Sequence, residues 1–239
     1  METEAFFFYM NEKLKMLNMD INKQKSDKFL KYMKLLIEWN EKVNLTAITD
    51  PAKIILKHFV DSLTINKYIS KNSKMIDVGT GAGFPGIPIA IYREDVEVLL
   101  LDSLNKRINF LNEVVNEIQL KNVATVHSRA EDYGQNNQAR EVFDIATSRA
   151  VAPLNVLAEY LLPFVKVGGI CLCMKGPGLK EELDNATKSI NAMGGIVEKI
   201  EEIELENMER NILIIRKQRN TPNIYPRKAG TPSKKPIEG

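Results

Sequence analysis

Met75-Ile76-Asp77-Val78-Gly79-Thr80-Gly81-Ala82-Gly83-Phe84-Pro85-Gly86 is the stretch on which the reading of this chain turns. Met75 to Val78 predicts a short buried strand. The four glycines after it predict a turn that lets a ligand come close to the backbone. Pro85 suits the first turn of a helix, where no amide hydrogen is needed, and Ile87 to Tyr92 supplies the opening of that helix. Strand, glycine-rich turn and helix together make a cradle at the C-terminal edge of a parallel sheet.

Two templates compete for this cradle. Gly81-x-Gly83-x-x-Gly86 fits the dinucleotide fingerprint, and Asp102 lies about twenty residues on, as that template requires. Asp77-x-Gly79-x-Gly81-x-Gly83 fits the S-adenosylmethionine pattern of Rossmann-like methyltransferases. Charge separates the two. A dinucleotide lays its pyrophosphate against the turn and the helix N-terminus, where a carboxylate repels it. Asp77 stands at the mouth of the turn. S-adenosylmethionine carries no phosphate, and its ammonium and sulfonium are attracted to a carboxylate there. The methyltransferase reading is preferred. An NAD-dependent oxidoreductase and a non-catalytic RNA-binding protein on the same fold are the alternatives.

The rest of the chain is consistent with one α/β unit. With 239 residues, 44% hydrophobic and 27% charged, it is long enough to bury a large core. The net charge of +2 means that any nucleic-acid affinity must come from how the charge is arranged. Cys171 and Cys173 alternate on one strand and are expected to be buried thiols. There is no apolar run long enough to cross a bilayer, and Glu2 and Glu4 before Phe6-Phe7-Phe8-Tyr9 carry the wrong charge for a signal peptide. A cytoplasmic, reduced monomer without a metal is expected.

From Lys74 onward strands and helices alternate. Strands are predicted over Lys74–Val78, Glu97–Leu101, Val123–His127, Phe143–Thr147 and Ile170–Met174. Helices are predicted over Pro85–Tyr92, Leu104–Ile118, Leu154–Val165 and Leu179–Met193. Such alternation implies a parallel sheet covered on both faces. Two further strands, about Ile196–Leu205 and Asn211–Ile215, would close it as an antiparallel hairpin. The predicted fold is therefore a Rossmann-like class I methyltransferase: a seven-stranded, mostly parallel sheet with a C-terminal antiparallel hairpin and an N-terminal helical extension. The expected divisions are a helical extension over 1–70, the methyltransferase domain over 71–218 and a basic, proline-rich tail over 219–239.

Within the extension, residues 5–45 predict helix. Its apolar face ends in Asn40 and Asn44 beside Trp39, a group suited to a base edge and ring, although a helix end capping itself gives the same letters. Asp50-Pro51 predicts the start of a helix that runs to about Tyr68. His58, Asp61 and Ser62 share one face of it. They are expected to brace the helix near the ligand pocket, because hydrolase triads gather their members from separate elements. In the tail, Arg216, Lys217, Arg219, Arg227, Lys228, Lys234 and Lys235 stand against Glu238, and Pro222, Pro226, Pro232 and Pro236 predict an extended run. A solvated linker is one reading. An arm for a phosphate backbone is the other.

Ligands of doubly wound sheets sit beyond the C-terminal strand ends, and that rule picks the candidates. Asp77, Gly79, Gly81, Gly83 and Phe84 follow the first strand and face the methionine part. Asp102-Ser103-Leu104 ends the second, with Asp102 accepting from the ribose hydroxyls. Ala130 and Glu131 after the third would read the adenine edge. Arg149 ends the fourth, where the methyl acceptor approaches. Lys175 ends the fifth and joins Arg227 and Lys228 as a candidate RNA contact. No residue is assigned a catalytic role; Arg149 and Asn44 are candidates for positioning the acceptor. No Asp/Asn-Pro-Pro-Tyr follows the fourth strand and no Pro-Cys or Thr-Cys sits at a strand end. Their absence disfavours an exocyclic amine and a pyrimidine carbon as acceptors. A ring nitrogen with a free lone pair needs only approach and alignment.

Five segments together carry a resemblance: Trp39–Thr46, His58-x-x-Asp61-Ser62-Leu63, Asp77-x-Gly-x-Gly-x-Gly-Phe-Pro-Gly, Ser148-Arg149-Ala150 and Arg227-Lys228-x-Gly230-x-Pro232. They resemble the bacterial ribosomal RNA small-subunit methyltransferase G family, also called glucose-inhibited division protein B, over nearly the whole chain. The resemblance implies methyl transfer from S-adenosylmethionine to N7 of a guanine in the decoding-region loop of 16S rRNA, with the small ribosomal subunit as partner. It also implies cofactor contacts at Gly79, Phe84, Ala130, Glu131 and Arg149. The base and its atom rest on the resemblance alone.

Overall fold

A computed structural model describes residues 1–237. The chain begins with two helices, α1 (Thr3–Leu14) and α2 (Lys23–Val43). The helix predicted over 5–45 is thus broken. Asn18 takes a left-handed conformation (φ 53°), which a short polar side chain tolerates and which ends a helix. Asn11 then ties the turn by pairing with both backbone groups of Ile21, and Asn22 caps α2 by accepting from the Lys25 amide at 2.9 Å. Asp50 caps the next helical stretch in the same way through Lys53. That stretch is α3 (Pro51–Ile54), a wide π turn (Ile55–Val60) and α4 (Asp61–Leu63).

The sheet follows as expected, with longer ends. Its strands are β1 (Lys74–Val78), β2 (Glu97–Asp102), β3 (Val123–His127), β4 (Phe143–Arg149), β5 (Val165–Lys175), β6 (Gly195–Leu205) and β7 (Met208–Lys217). Their order is β3-β2-β1-β4-β5-β7-β6. The first five run parallel, and β7 pairs antiparallel with both β5 and β6. The helices between them are α5 (Gly86–Tyr92), α6 (Asn105–Glu117), α7 (Ala130–Tyr133), α8 (Leu154–Leu161) and α9 (Leu179–Ala192). Four-residue α7 is too short to leave a periodic signal in the sequence.

Each face of the sheet buries its own apolar cluster. Met75 faces a cluster built with α1, α2, α5, α6 and the π turn, while Ile76 and Val78 face one built with α8 and α9. The N-terminal helices are therefore a layer of the fold. Phe6, Phe29, Tyr32 and Phe59 are fully buried in it.

The tail departs from the expected extended arm. Arg216 and Lys217 belong to β7. Lys217 is fully buried, donates to Leu162 O and Thr221 Oγ1 at 2.6 Å each, and pairs with Glu141 at 3.0 Å. Arg140 donates to the carbonyls of Thr221 and Tyr225 at 2.7 Å each. The chain then lies along α7 and α8 and ends in a one-turn helix, α10 (Thr231–Lys234). The prolines satisfy an extended path, but long-range charge pairs decide where that path runs. Glu238, set against the basic residues above, lies outside the described residues.

Candidate functional site

The turn after β1 has the geometry of a ligand cradle. Gly81 has φ 63°, and a Cβ added there would meet nothing closer than Gly79 O at 4.0 Å, so that direction is open. Gly83 has φ 101°, and its Cβ would strike Ile87 and Tyr32 within 3 Å, so that glycine serves close packing from behind. The Tyr32 hydroxyl donates to Ala82 O, which fastens the turn to α2.

Two carboxylates frame the turn. Asp77 is fully buried; its Oδ2 accepts from Thr80 Oγ1 at 2.7 Å and Gly86 N at 2.8 Å, and its Oδ1 has no partner. Burial pushes its pKa up to about 6, against the lowering effect of those two donors. Asp102, at the end of β2, accepts from Gly81 N through one oxygen and Leu104 N through the other, both at 2.9 Å, with Arg107 at 3.3 Å. Asp102 and Ser103 line a cavity of about 170 Å3 together with Gly79, Ala130 and Glu131. Five of the residues assigned from the sequence to a cofactor thus meet in one space. Leu104 borders Asp102 through its amide, and its side chain is exposed.

Phe84 and Arg149 lie elsewhere. The Phe84 ring is buried between His58, at 4.5 Å between centroids, and the Arg149 guanidinium, 4.8 Å from its centroid. Arg149 leaves the end of β4 and donates to Asp61 Oδ2 at 2.8 Å, Lys57 O at 3.1 Å and His58 Nδ1 at 3.1 Å. The π turn presents that Lys57 carbonyl. His58 Nδ1 also lies 3.1 Å from Lys57 O, and its Nε2 lies 2.8 Å from Thr46 Oγ1, so both ring nitrogens are engaged. Burial, then the Arg149 charge, lowers the His58 pKa to about 3. The expected bracing cluster of His58, Asp61 and Ser62 is present, with Ser62 donating to His58 O. Arg149 and, through Asp61 Oδ1 at 2.9 Å, Arg210 of β7 complete it.

This cluster lines a second, larger cleft of about 880 Å3 beyond β4 and β5, which also takes in Lys57, Lys175 and Arg210. Val151 belongs to both spaces and would contact a Cβ on Gly79 at 2.7 Å.

Several residues assigned from the sequence to the acceptor side have partners within the chain. Arg227, expected to grip RNA, is turned inward: its backbone amide and its guanidinium meet Glu159, which is 1% exposed, at 2.6 to 3.1 Å. Lys175, expected to contact RNA, pairs with Glu182 at 2.6 Å and donates to Ala152 O at 2.8 Å. Trp39 packs on Phe110 and donates to Glu113, so its ring and N–H are both engaged. Asn40 accepts from Thr46 N as a helix-end cap. Asn44 is the left-handed residue that ends α2 (φ 50°) and lies outside both cavities. Lys228 is exposed, with no ion-pair partner among the described residues. Lys57, Val151, Tyr160, Arg210 and Ser233 also line the cavities, as does Gly230 of the tail motif; the sequence does not single out the first five, because they arrive from different parts of the chain.

Sheet order, glycine cradle and acidic strand end define a Rossmann-like methyltransferase fold. Among solved structures, an S-adenosylmethionine-dependent methyltransferase from Aquifex aeolicus matches with TM-score 0.50 and 19% identity over 70% of this chain and 93% of that one. A 16S rRNA (adenine(1408)-N(1))-methyltransferase from Catenulisporales acidiphilia matches with TM-score 0.50 and 16% identity, covering 63% and 87%. At such identities the likeness concerns the fold. The family model described as rRNA small subunit methyltransferase G matches residues 25–213. A ribosomal RNA small subunit methyltransferase G from Clostridium perfringens is 52% identical over 98% of this chain and 99% of its own length. One from Alkaliphilus oremlandii is 52% identical over 93% and 95%. The chain belongs to the rRNA small subunit methyltransferase G family.

Proposed function

We propose that this protein transfers the methyl group of S-adenosylmethionine to N7 of a guanine in 16S rRNA of the small ribosomal subunit. The observation that carries this reading is the pair of adjoining spaces at the sheet rim, a small one beside Asp102 and a large basic one beside Arg149, meeting at Val151. The site's residues fit the cofactor. Asp77, at the end of β1 before the glycine turn, keeps a buried oxygen without a partner. Asp102 has lone pairs left for ribose hydroxyls, and the direction from Gly81 is open. When bound, the cofactor supplies an electrophilic methyl group.

The chain's own residues then have the work of binding and alignment. Arg149, rigidly held by Asp61, Lys57 O and Phe84, positions the acceptor; Asn44 is a second candidate on the loop after α2. N7 of guanine offers its lone pair without losing a proton, so no general base is required, and His58, kept neutral and hydrogen-bonded on both sides, suits such a site. Lys228 is the exposed cation best placed for RNA phosphate among the original three. None of the described helices is long and apolar enough to cross a membrane, and the described residues form no cluster of three or more metal-type ligands. The proposal places the protein, as a monomer, among cytoplasmic ribosomes.

The test is transfer of labelled methyl from S-adenosylmethionine to small subunits prepared from cells lacking the modification, with the product nucleoside identified by mass spectrometry. N7-methylguanosine is expected. No transfer, or methyl on another atom, overturns the reading.

A further inference from the structure

The small cavity has a wall that belongs to neither the strand ends nor the glycine turn. Gly230 and Ser233 of the tail and Tyr160 of α8 close it on the outer side. Two buried carboxylates fasten this wall. Glu159, next to Tyr160, takes four hydrogen bonds from Arg227. Glu131, 5% exposed and next to Ala130, accepts from Gly230 N at 2.8 Å. Both carboxylates are nearly inaccessible to solvent, so removing a tail partner would leave a buried charge short of a donor. Gly230 turns the chain with φ 81°, and Pro232 is buried behind it. Gln135, just after α7, holds Pro226 O at 2.8 Å, and Pro226 lies where a Cβ on Gly134 would touch it at 2.9 Å. The tail is thus packed against α7, the element expected to read the base.

We infer that the tail segment Arg227–Ser233 is the outer wall of the adenosine half of the cofactor cavity. Arg227 is a positioning residue there: through Glu159 it sets Gly230, and through Gly230 it sets the Glu131 carboxylate. The inference rests on the S-adenosylmethionine reading given above and assigns the inward side of the tail, Arg227, Gly230 and Ser233, to that ligand, leaving exposed Lys228 to RNA. The chemistry suits an adenine edge, since the tail residues that line the cavity are Gly230 and Ser233, which offer backbone groups and a hydroxyl. Lys228 and Lys234, on the same segment, are exposed.

The test uses the full chain with S-adenosylhomocysteine and, separately, methylthioadenosine as calorimetric ligands, and a short RNA hairpin for salt-dependent binding. Ser233 is exposed at the rim, so Ser233→Phe should fold normally and project into the cavity. It is expected to weaken both ligands by about tenfold or more, equally for the two, because both carry the adenosine group. Arg227→Ala should weaken both in the same proportion, with partial recovery in Arg227→Lys. RNA affinity and its salt slope should stay at the wild-type value in Ser233→Phe. Wild-type affinity for both small ligands in Ser233→Phe and Arg227→Ala, with a flatter RNA salt slope in the latter, would overturn the inference and restore the tail as an RNA arm. Wild-type protein that binds neither small ligand would sink the cofactor reading, and the inference with it.

Discussion

The cavity beside Asp102 encloses about 170 Å3 between strand ends and tail, whereas the cleft beside Arg149 opens to about 880 Å3 among Lys57, Lys175 and Arg210. The first is lined by two carboxylates, Asp102 and Glu131, both at most 5% exposed. The second carries cations whose positions are fixed by carboxylates behind them, Arg149 and Arg210 by Asp61 and Lys175 by Glu182. One sheet edge thus presents acidic and basic chemistry side by side, divided at Val151. A small ligand with a positively charged end fits the first, and a base on an anionic backbone fits the second. Mutations on either side should therefore separate into two phenotypes.

The largest effect is expected from Gly81→Val. A β-branched residue at φ 63° is strained, and its side chain would point into the open direction of the cradle. S-adenosylhomocysteine binding should fall by more than about a hundredfold in calorimetric titration, the cost of blocking the approach adding to the strain. Retained binding would erase the distinction between the two spaces.

Asp102→Ala comes next. It removes charge-assisted hydrogen bonds worth about 1.5–3 kcal/mol each, so cofactor affinity should drop by roughly ten- to a hundredfold while RNA binding stays unchanged. The same side chain accepts from Gly81 N and Leu104 N, so a lowered thermal midpoint of the free protein is expected as well.

A pH titration sharpens the comparison more gently. The Asp77 pKa is raised from 3.8 to about 6. A raised folded value means that the group stabilises the free fold below about pH 4 and that this contribution is lost as pH rises through about 6. The ligand's positive end favours the ionised form, so S-adenosylhomocysteine affinity should rise as pH passes about 6, and Asp77→Asn should flatten the rise. The His58 shift runs the other way, from 6.5 to about 3: its contribution is present above 6.5 and lost as pH falls toward 3. Its imidazole resonances should accordingly stay fixed between pH 5 and 8 by NMR.

The smallest effect is expected from Lys228→Ala. One lost phosphate contact should reduce the slope of log affinity against log salt by about 0.7, with cofactor affinity untouched. An unaltered slope would leave RNA recognition to Lys57 and the cleft.

The sequence made the cofactor side legible because its signals are local. The β1 strand, the glycine turn and Asp102 sit within 30 residues and carry their own periodicity and backbone demands, and β1 and β3 have the boundaries that the pattern predicts. The opposite holds where a charge finds its partner far along the chain. Arg227 and Glu159 are 68 residues apart, and Arg210 and Asp61 are 149 apart. Composition shows a basic tail and says nothing about a buried carboxylate waiting for it, so Arg227 and Lys175 looked like surface cations. The break at Asn18 was hidden for a related reason: a single left-handed residue interrupts a helix without disturbing the apolar spacing on either side.

The division of the rim is tested most directly by Arg210→Ala, with S-adenosylhomocysteine affinity and methyl transfer to unmodified small subunits measured on one preparation. Arg210 touches Asp61 and lines the large cleft but not the small one. The account predicts an unchanged dissociation constant and a kcat/KM for transfer lower by about tenfold or more, as loss of a charge-assisted contact to the acceptor would give. A dissociation constant weakened as much as the transfer would contradict it, since the two spaces would then act as one.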